Sequence, residues 1–165
     1  MSGLRVGSAA PDIKLGSLSG EAFSLQKALA RGPVLLAFFK VSCPTCQYGF
    51  PFYERLYLAY KNSPVTIVGI SQNNAADTAA FAKEFGVTFP LLLDDPLTYP
   101  VSNAYGLTNV PTLFWIERDG EIEASSVGWV KPDFEDINRR MAGASAMVAA
   151  PIFRAGEDVR DYRGG

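Results

Sequence analysis

The feature that most constrains this fold is an uninterrupted apolar run, Val34-Leu35-Leu36-Ala37-Phe38-Phe39. It meets its first charge at Lys40 and ends in Cys43-Pro44-Thr45-Cys46. A run without alternation has no polar face to give to water. It therefore reads as a strand buried on both sides, as in a parallel sheet covered by helices. An apolar stripe spaced by three and four follows at once: Phe50, Tyr53, Leu56, Tyr57 and Tyr60. That spacing predicts a helix from about Cys43 to Lys61, with a kink at Pro51 inside it. The only two cysteines of the chain thus stand at a strand-to-helix junction, separated by two residues.

The junction favours a specific chemistry. A helix starting near Cys43 aims its free N–H groups and positive dipole end at the Cys43 sulfur, which stabilises the nucleophilic thiolate. Pro44 fits the first helical position, where a missing N–H costs nothing. Cys46 lies about one turn further on the same side, so its sulfur can close a disulfide. Cys43 is then the exposed attacking thiol and Cys46 the more buried resolving one. Two other readings stand beside this: a pair of unrelated core thiols, and two thiolates holding Cu(I) in a non-enzymatic partner- or copper-binding module. A structural zinc site needs four ligands, typically Cys or His. This chain has no histidine and no further cysteine, so neither a zinc site nor a cofactor is expected. The lack of histidine also removes Cys–His and Ser–His–Asp catalysis.

Size and charge narrow the classes. At 165 residues and 48% hydrophobic, the chain suits one globular domain with an ample core. A net charge of −2 gives no basic excess for nucleic acid. No apolar stretch reaches the length of a membrane span. Residues 1–10 carry one arginine and no apolar segment, so no signal peptide is expected. The expected setting is cytoplasmic, with the thiols kept reduced between turnovers; a chain whose export signal had been removed would read the same. Residues 1–142 are expected to form the domain. Residues 143–165, small and polar around a lone Pro151-Ile152-Phe153, are expected to be a loosely packed extension.

Along the chain, Ala10-Pro11-Asp12-Ile13-Lys14-Leu15, a Gly20 turn and Phe23-Ser24-Leu25 predict an N-terminal hairpin, with Ser24 capping a short helix to Ala30. Val65–Ile70 reads as a second buried strand. Asn74 caps a helix to Phe85, Gly86 ends it, and Val87–Asp94 reads as a short strand. Tyr99–Tyr105 is a short helix ended by Gly106. Leu107-Thr108-Asn109-Val110-Pro111-Thr112 leads into a hairpin, Thr112–Ile116 and Ile122–Val127, turning at Asp119-Gly120. A last helix is expected from Pro132 to Met141.

Four of these stretches together carry a resemblance: the Cys43–Cys46 motif, the N-terminal hairpin, Phe85-Gly86-Val87-Thr88-Phe89-Pro90-Leu91-Leu92-Leu93-Asp94, and the Val110-Pro111-Thr112 loop. Over residues 9–142 the chain resembles the thioredoxin superfamily, in the redoxin branch that groups alkyl hydroperoxide reductase and thiol-specific antioxidant proteins. The resemblance implies an α/β three-layer sandwich with a central mixed sheet and an added N-terminal β-hairpin. It implies that Pro111 is a cis proline packed near the sulfurs and that Val110 presents its backbone to an extended substrate segment. Pro44 and Thr45 would help set the redox potential and, with Trp129, meet the substrate. Val41, Phe89 and Trp129 are expected to form an apolar docking rim.

The redoxin branch holds peroxidases as well as disulfide reductases. Its peroxidases carry Pro seven residues, and Thr or Ser three residues, before the attacking cysteine, with a distant arginine. Here those positions are Leu36 and Lys40 before Cys43, and Phe39 and Cys43 before Cys46. Pro111 stands about where the arginine is expected, and Arg118 lies beyond the strand. The reading is therefore a thiol–disulfide oxidoreductase, with a thiol peroxidase as the alternative. Its expected partners are disulfide-bearing proteins or small thiols, plus a dithiol electron donor. Many thioredoxins place a buried Asp six residues before the first cysteine; Ala37 stands there, leaving Lys40 or water to serve Cys46. Lys40 reads equally as a cation lowering the Cys43 pKa or as a surface charge.

Overall fold

The computed structural model describes residues 3–165. The chain opens on a hairpin, β1 (Lys14–Gly16) and β2 (Ala22–Ser24), followed by α1 (Leu25–Arg31). Ser24 caps α1 by accepting from the Lys27 amide at 3.3 Å. The apolar run is β3 (Val34–Phe39), every residue of it buried. It leads into α2 (Pro44–Ala59), β4 (Thr66–Ser71), α3 (Ala75–Phe85), β5 (Leu91–Leu93) and α4 (Pro100–Ala104). The chain continues through β6 (Thr112–Ile116), β7 (Ile122–Val127), β8 (Trp129–Val130), α5 (Lys131–Ala144) and β9 (Tyr162–Arg163).

Five strands form one mixed sheet in the order β5-β4-β3-β6-β7, with β3 at its centre. β3 runs parallel to β4, which runs parallel to β5, whereas β6 is antiparallel to both β3 and β7. The period of two along β3 explains its unbroken apolar character. Leu35, Ala37 and Phe39 enter one core with Phe50, Tyr53 and Leu56 of α2, Phe81 of α3 and Phe134 of α5. Val34, Leu36 and Phe38 enter a second core with Ile13, Leu25 and Ala28 of the N-terminal segment and α1, and Tyr105 after α4. One strand thus feeds both faces, giving helix–sheet–helix layers with the N-terminal hairpin against the β5 edge, where the Leu18 amide donates to the Leu91 carbonyl at 2.8 Å. Gly69 in β4 allows this packing: a Cβ there would come within 2.6 Å of the Leu91 side chain.

The expected strand Val87–Asp94 is shorter than its sequence suggests, because its first amides are taken by a side chain. Buried Glu54 of α2 accepts from the Thr88 amide at 2.7 Å and the Phe89 amide at 3.3 Å, and pairing begins only after Pro90. α3 has the expected ends, with Asn74 accepting from the Asp77 amide at 2.8 Å and Gly86 left-handed at φ 67.

The largest difference from expectation lies after α5. Residues 143–165, expected to be loosely packed, begin inside α5 and are anchored to the domain at several points beyond it. Ile152 is buried, and Phe153 rests on Phe52 and Phe134 at centroid distances of 5.5 and 5.4 Å. The Asn138 side chain donates to the Ala150 carbonyl at 2.9 Å. The Arg55 guanidinium grips Glu157 through two bonds of 2.7 Å, holding that carboxyl well below the usual range. β9 then pairs antiparallel with β8, Trp129 opposite Arg163 and Val130 opposite Tyr162. A helix and a ladder elsewhere in the chain supply these partners, so nothing local in the segment announces them.

Candidate active site

Cys43 is the N-cap of α2 rather than its first helical residue, with extended φ −80 and ψ 115. Its sulfur accepts from the Cys46 amide at 3.2 Å, as a capping oxygen would. The preceding loop is pinned on both sides. The Val41 amide donates to the Asn73 side chain at 3.0 Å, and the Gln47 side chain donates to the Val41 carbonyl at 2.9 Å. Cys43 is partly exposed, whereas Cys46, one turn on, is fully buried.

The Val110–Pro111 bond is cis. Its loop is fixed by Thr112, whose hydroxyl donates to the Asn109 carbonyl at 2.7 Å, and by the Gly128 amide, which donates to the Pro111 carbonyl at 2.8 Å. The Cys43 thiol donates to the Val110 carbonyl oxygen at 3.4 Å. The two segments of the predicted site, 67 residues apart in the chain, therefore meet at the Cys43 sulfur.

The surroundings make the two thiols unequal. A hydrogen bond from Cys46, the Cys46 and Thr45 amides and the charge of Arg163 pull Cys43 down to about 6, against a smaller opposing effect of burial. Burial pushes Cys46 far up, and the neighbouring Cys43 adds to the shift. The charge of Arg163 favours the Cys43 thiolate, and Lys40 is exposed just past the end of β3. Arg163 and the segment around it were not legible as site residues, because only tertiary packing brings them here.

Other expected site residues lie elsewhere. Pro44 is exposed at the helix start, but Thr45 is buried and its hydroxyl donates to the Gly164 carbonyl. Trp129 and Phe89 do not form an open rim. Trp129 is covered, with its indole N–H donating to the Arg160 carbonyl at 2.6 Å, and Phe89 is buried against Phe50. Val41 alone of that trio is partly exposed. Arg118 donates to the Ala30 carbonyl at 3.1 Å, beside α1.

Residues 6–125 match the AhpC/TSA family. The chain belongs to that family. Among its relatives, the thiol-disulfide oxidoreductase ResA of Geobacillus kaustophilus is 34% identical over 137 residues, spanning 82% of this chain and 76% of the relative. Among solved structures, a Bacteroides thetaiotaomicron protein assigned as a protein disulfide isomerase superposes with a TM-score of 0.81 at 27% identity, covering 88% of this chain and 95% of its own. A Chlorobium tepidum protein assigned as the thiol:disulfide interchange protein DsbE superposes with a TM-score of 0.75 at 25% identity, covering 86% of this chain and 98% of its own. This AhpC/TSA chain shares the thioredoxin-like sandwich of those structures. No helix among the described residues is long and apolar enough to cross a membrane.

One further group stands near the pair. The Tyr53 hydroxyl, folded back over Gly49 one turn below Cys46, is buried without a hydrogen-bond partner. An unpaired buried donor costs about 1–3 kcal/mol. Tyr53→Phe is expected to stabilise the protein by about 1 kcal/mol, read from the midpoint of urea denaturation at unchanged m-value.

Proposed function

We propose that this protein is a thiol–disulfide oxidoreductase in which Cys43 attacks and Cys46 resolves. The observation that carries the reading is the asymmetry of the pair: a partly exposed sulfur at a helix N-terminus beside the Val110–Pro111 loop, and a buried sulfur one turn below it. The Cys43 thiolate attacks one sulfur of a substrate disulfide. An S–S bond forms to Cys43, the substrate S–S bond breaks, and the departing thiolate takes a proton. Cys46 then loses its proton and attacks the Cys43 sulfur, releasing the second substrate thiol. Two electrons and two protons pass to the substrate, and a Cys43–Cys46 disulfide remains for a dithiol donor to reduce. Val110 offers backbone groups to the substrate chain; Pro44 and Thr45 border the sulfur. Substrates are disulfide-bearing proteins or small disulfides.

A thiolate stabilised to this degree also bears on direction. Relative to a cysteine near 7 in thioredoxin and 3.5 in DsbA, a value of about 6 points to a potential nearer the reducing end. Equilibration with glutathione or dithiothreitol buffers is expected to give a value between about −270 and −120 mV, closer to the first. Such a potential suits the cytoplasm, the setting proposed here. A value near −120 mV would place the protein among oxidants, and failure to form the intramolecular disulfide would overturn the mechanism.

The pH dependence follows from the same shifts. Alkylation of Cys43 by iodoacetamide is expected to climb about tenfold per pH unit below 6 and level off by about pH 7. A rate still climbing tenfold between pH 7 and 8 would show an unperturbed thiol. Stability of the reduced protein should respond in two windows. The native state binds fewer protons at Cys43 than the unfolded chain does, so stability rises with pH from about 6 to 9.0. Cys46 has the opposite sign: its raised value means that stability falls once the pH passes 9.0, where the unfolded thiol ionises and the native one does not.

A further inference from the structure

Residues 160–165 run from the β8 edge to the Val110–Pro111 peptide beside Cys43. β9 adds an antiparallel strand to β8, and the Lys131 amide extends the pairing by donating to the Asp161 carbonyl at 2.8 Å. The segment then crosses the site itself. The Gly164 carbonyl accepts from Thr45, the residue between Pro44 and Cys46. Gly165 passes so close to the Val110–Pro111 peptide that a Cβ on it would meet the Val110 carbonyl oxygen at 2.2 Å. That oxygen is the one the Cys43 thiol bonds. On the other side, a Cβ on Gly128 would meet the Arg163 carbonyl at 2.7 Å. Backbone lies on backbone at both places, which glycine allows and other residues do not.

We propose that residues 160–165 are a strap occupying the polypeptide groove beside Cys43, so that protein disulfides must displace it while small disulfides need not. The proposal rests on the oxidoreductase reading of this site. An extended peptide gains affinity from main-chain pairing with such an edge, and here the chain supplies that pairing to itself. Being intramolecular, the strap competes at an effective concentration no dilute substrate matches. The apparent affinity for a protein substrate falls by the fraction of molecules in which the groove is open. Cys43 stays partly exposed with the strap in place, so a small disulfide reaches the sulfur without moving it.

The construction suits a device that opens. Its root is firm: Glu157 in the Arg55 fork, and Ile152 and Phe153 in the core. The chain bends at Gly156, with positive φ, inside the root itself, between Phe153 and Glu157. The strap itself is mostly exposed and held by a two-residue ladder plus four outer bonds, with the Lys131 amide, the Thr45 hydroxyl, the Trp129 indole and the Tyr48 hydroxyl, which accepts from the Arg160 amide at 3.0 Å. Arg163 also places its guanidinium 5.9 Å from the Tyr48 ring centroid, and its charge favours the Cys43 thiolate.

The test uses the full chain, with insulin as the protein disulfide and glutathione disulfide as the small one. Gly165→Val has no space above the Val110 carbonyl, and Tyr162→Pro fixes φ near −65°, away from the extended geometry of β9. Exchange of the Lys131 amide reports whether the strap has left. Both variants are expected to speed that exchange and to raise kcat/KM for insulin about tenfold, chiefly through KM, with glutathione disulfide unchanged within twofold. Faster exchange with unchanged or slower insulin reduction would overturn the proposal. So would unchanged exchange in both variants. Wild-type protein that reduces neither probe would sink the oxidoreductase reading, and the strap with it.

Discussion

Replacing Cys43 with serine is expected to lower disulfide reduction by about 10³-fold or more, with insulin and glutathione disulfide alike. A serine hydroxyl in the same cap position accepts the Cys46 amide as well as sulfur does, so the fold should survive. It does not ionise near neutral pH, so the nucleophile is gone. The second half of the expectation separates the two cysteines. Cys46→Ser keeps the Cys43 thiolate and its access to substrate but removes the group that resolves the mixed disulfide. It should accumulate a covalent adduct with insulin on the Cys43 sulfur, visible by mass spectrometry under non-reducing conditions. Cys46 is buried and its thiol is held strongly protonated, so it cannot substitute as the attacking group. A trapped adduct on Cys46 in the Cys43→Ser variant would reverse the assigned roles. Peroxide turnover that required Cys43 but not Cys46 would favour the peroxidase alternative, although Leu36 and Lys40 stand where its peroxide-holding residues are expected.

How much of this site could be read in the sequence depends on how local its causes are. The Cys43–Cys46 motif is local: strand end, N-cap, proline at the first helical position and a cysteine one turn on all fall within residues 39–46. The central strand was legible because both of its faces are buried, and its sequence carries that fact without help from its neighbours. The caps at Ser24, Asn74 and Gly86 were legible for the same reason. Trp129 and Phe89 were misplaced because an aromatic near a site looks alike whether it is open or covered. What covers Trp129 is the segment 160–165, whose own residues are glycines, charges and one tyrosine. Its order comes from β8, from Thr45 and from Val110, and none of those dependencies leaves a periodic or compositional trace. The apolar Pro151-Ile152-Phe153 was the single local signal that this stretch returns to the core.

Trp129 is where core and strap join, and its removal should be felt in both. The indole is almost fully buried, with Phe52 and Phe134 at centroid distances of 4.9 and 5.1 Å and Tyr48 edge-on at 5.5 Å. Truncating a buried tryptophan to alanine costs about 3–5 kcal/mol through lost contacts and the cavity left behind. For a chain of this size that corresponds to a fall in Tm of about 10 °C. Trp129→Phe separates the two roles. It keeps most of the ring contacts but lacks the N–H that holds the Arg160 carbonyl at 2.6 Å, so its cost in stability should be smaller, about 1–2 kcal/mol. The Lys131 amide should nevertheless exchange faster in Trp129→Phe, because the strap has lost its indole anchor while β8 and α5 remain packed. If the phenylalanine variant loses stability without any change at Lys131, Trp129 serves the core alone and the strap is held by Tyr48, Thr45 and the β8 ladder. If it speeds exchange while the melting curve barely moves, opening of the strap is decoupled from unfolding, as a substrate-displaced element requires.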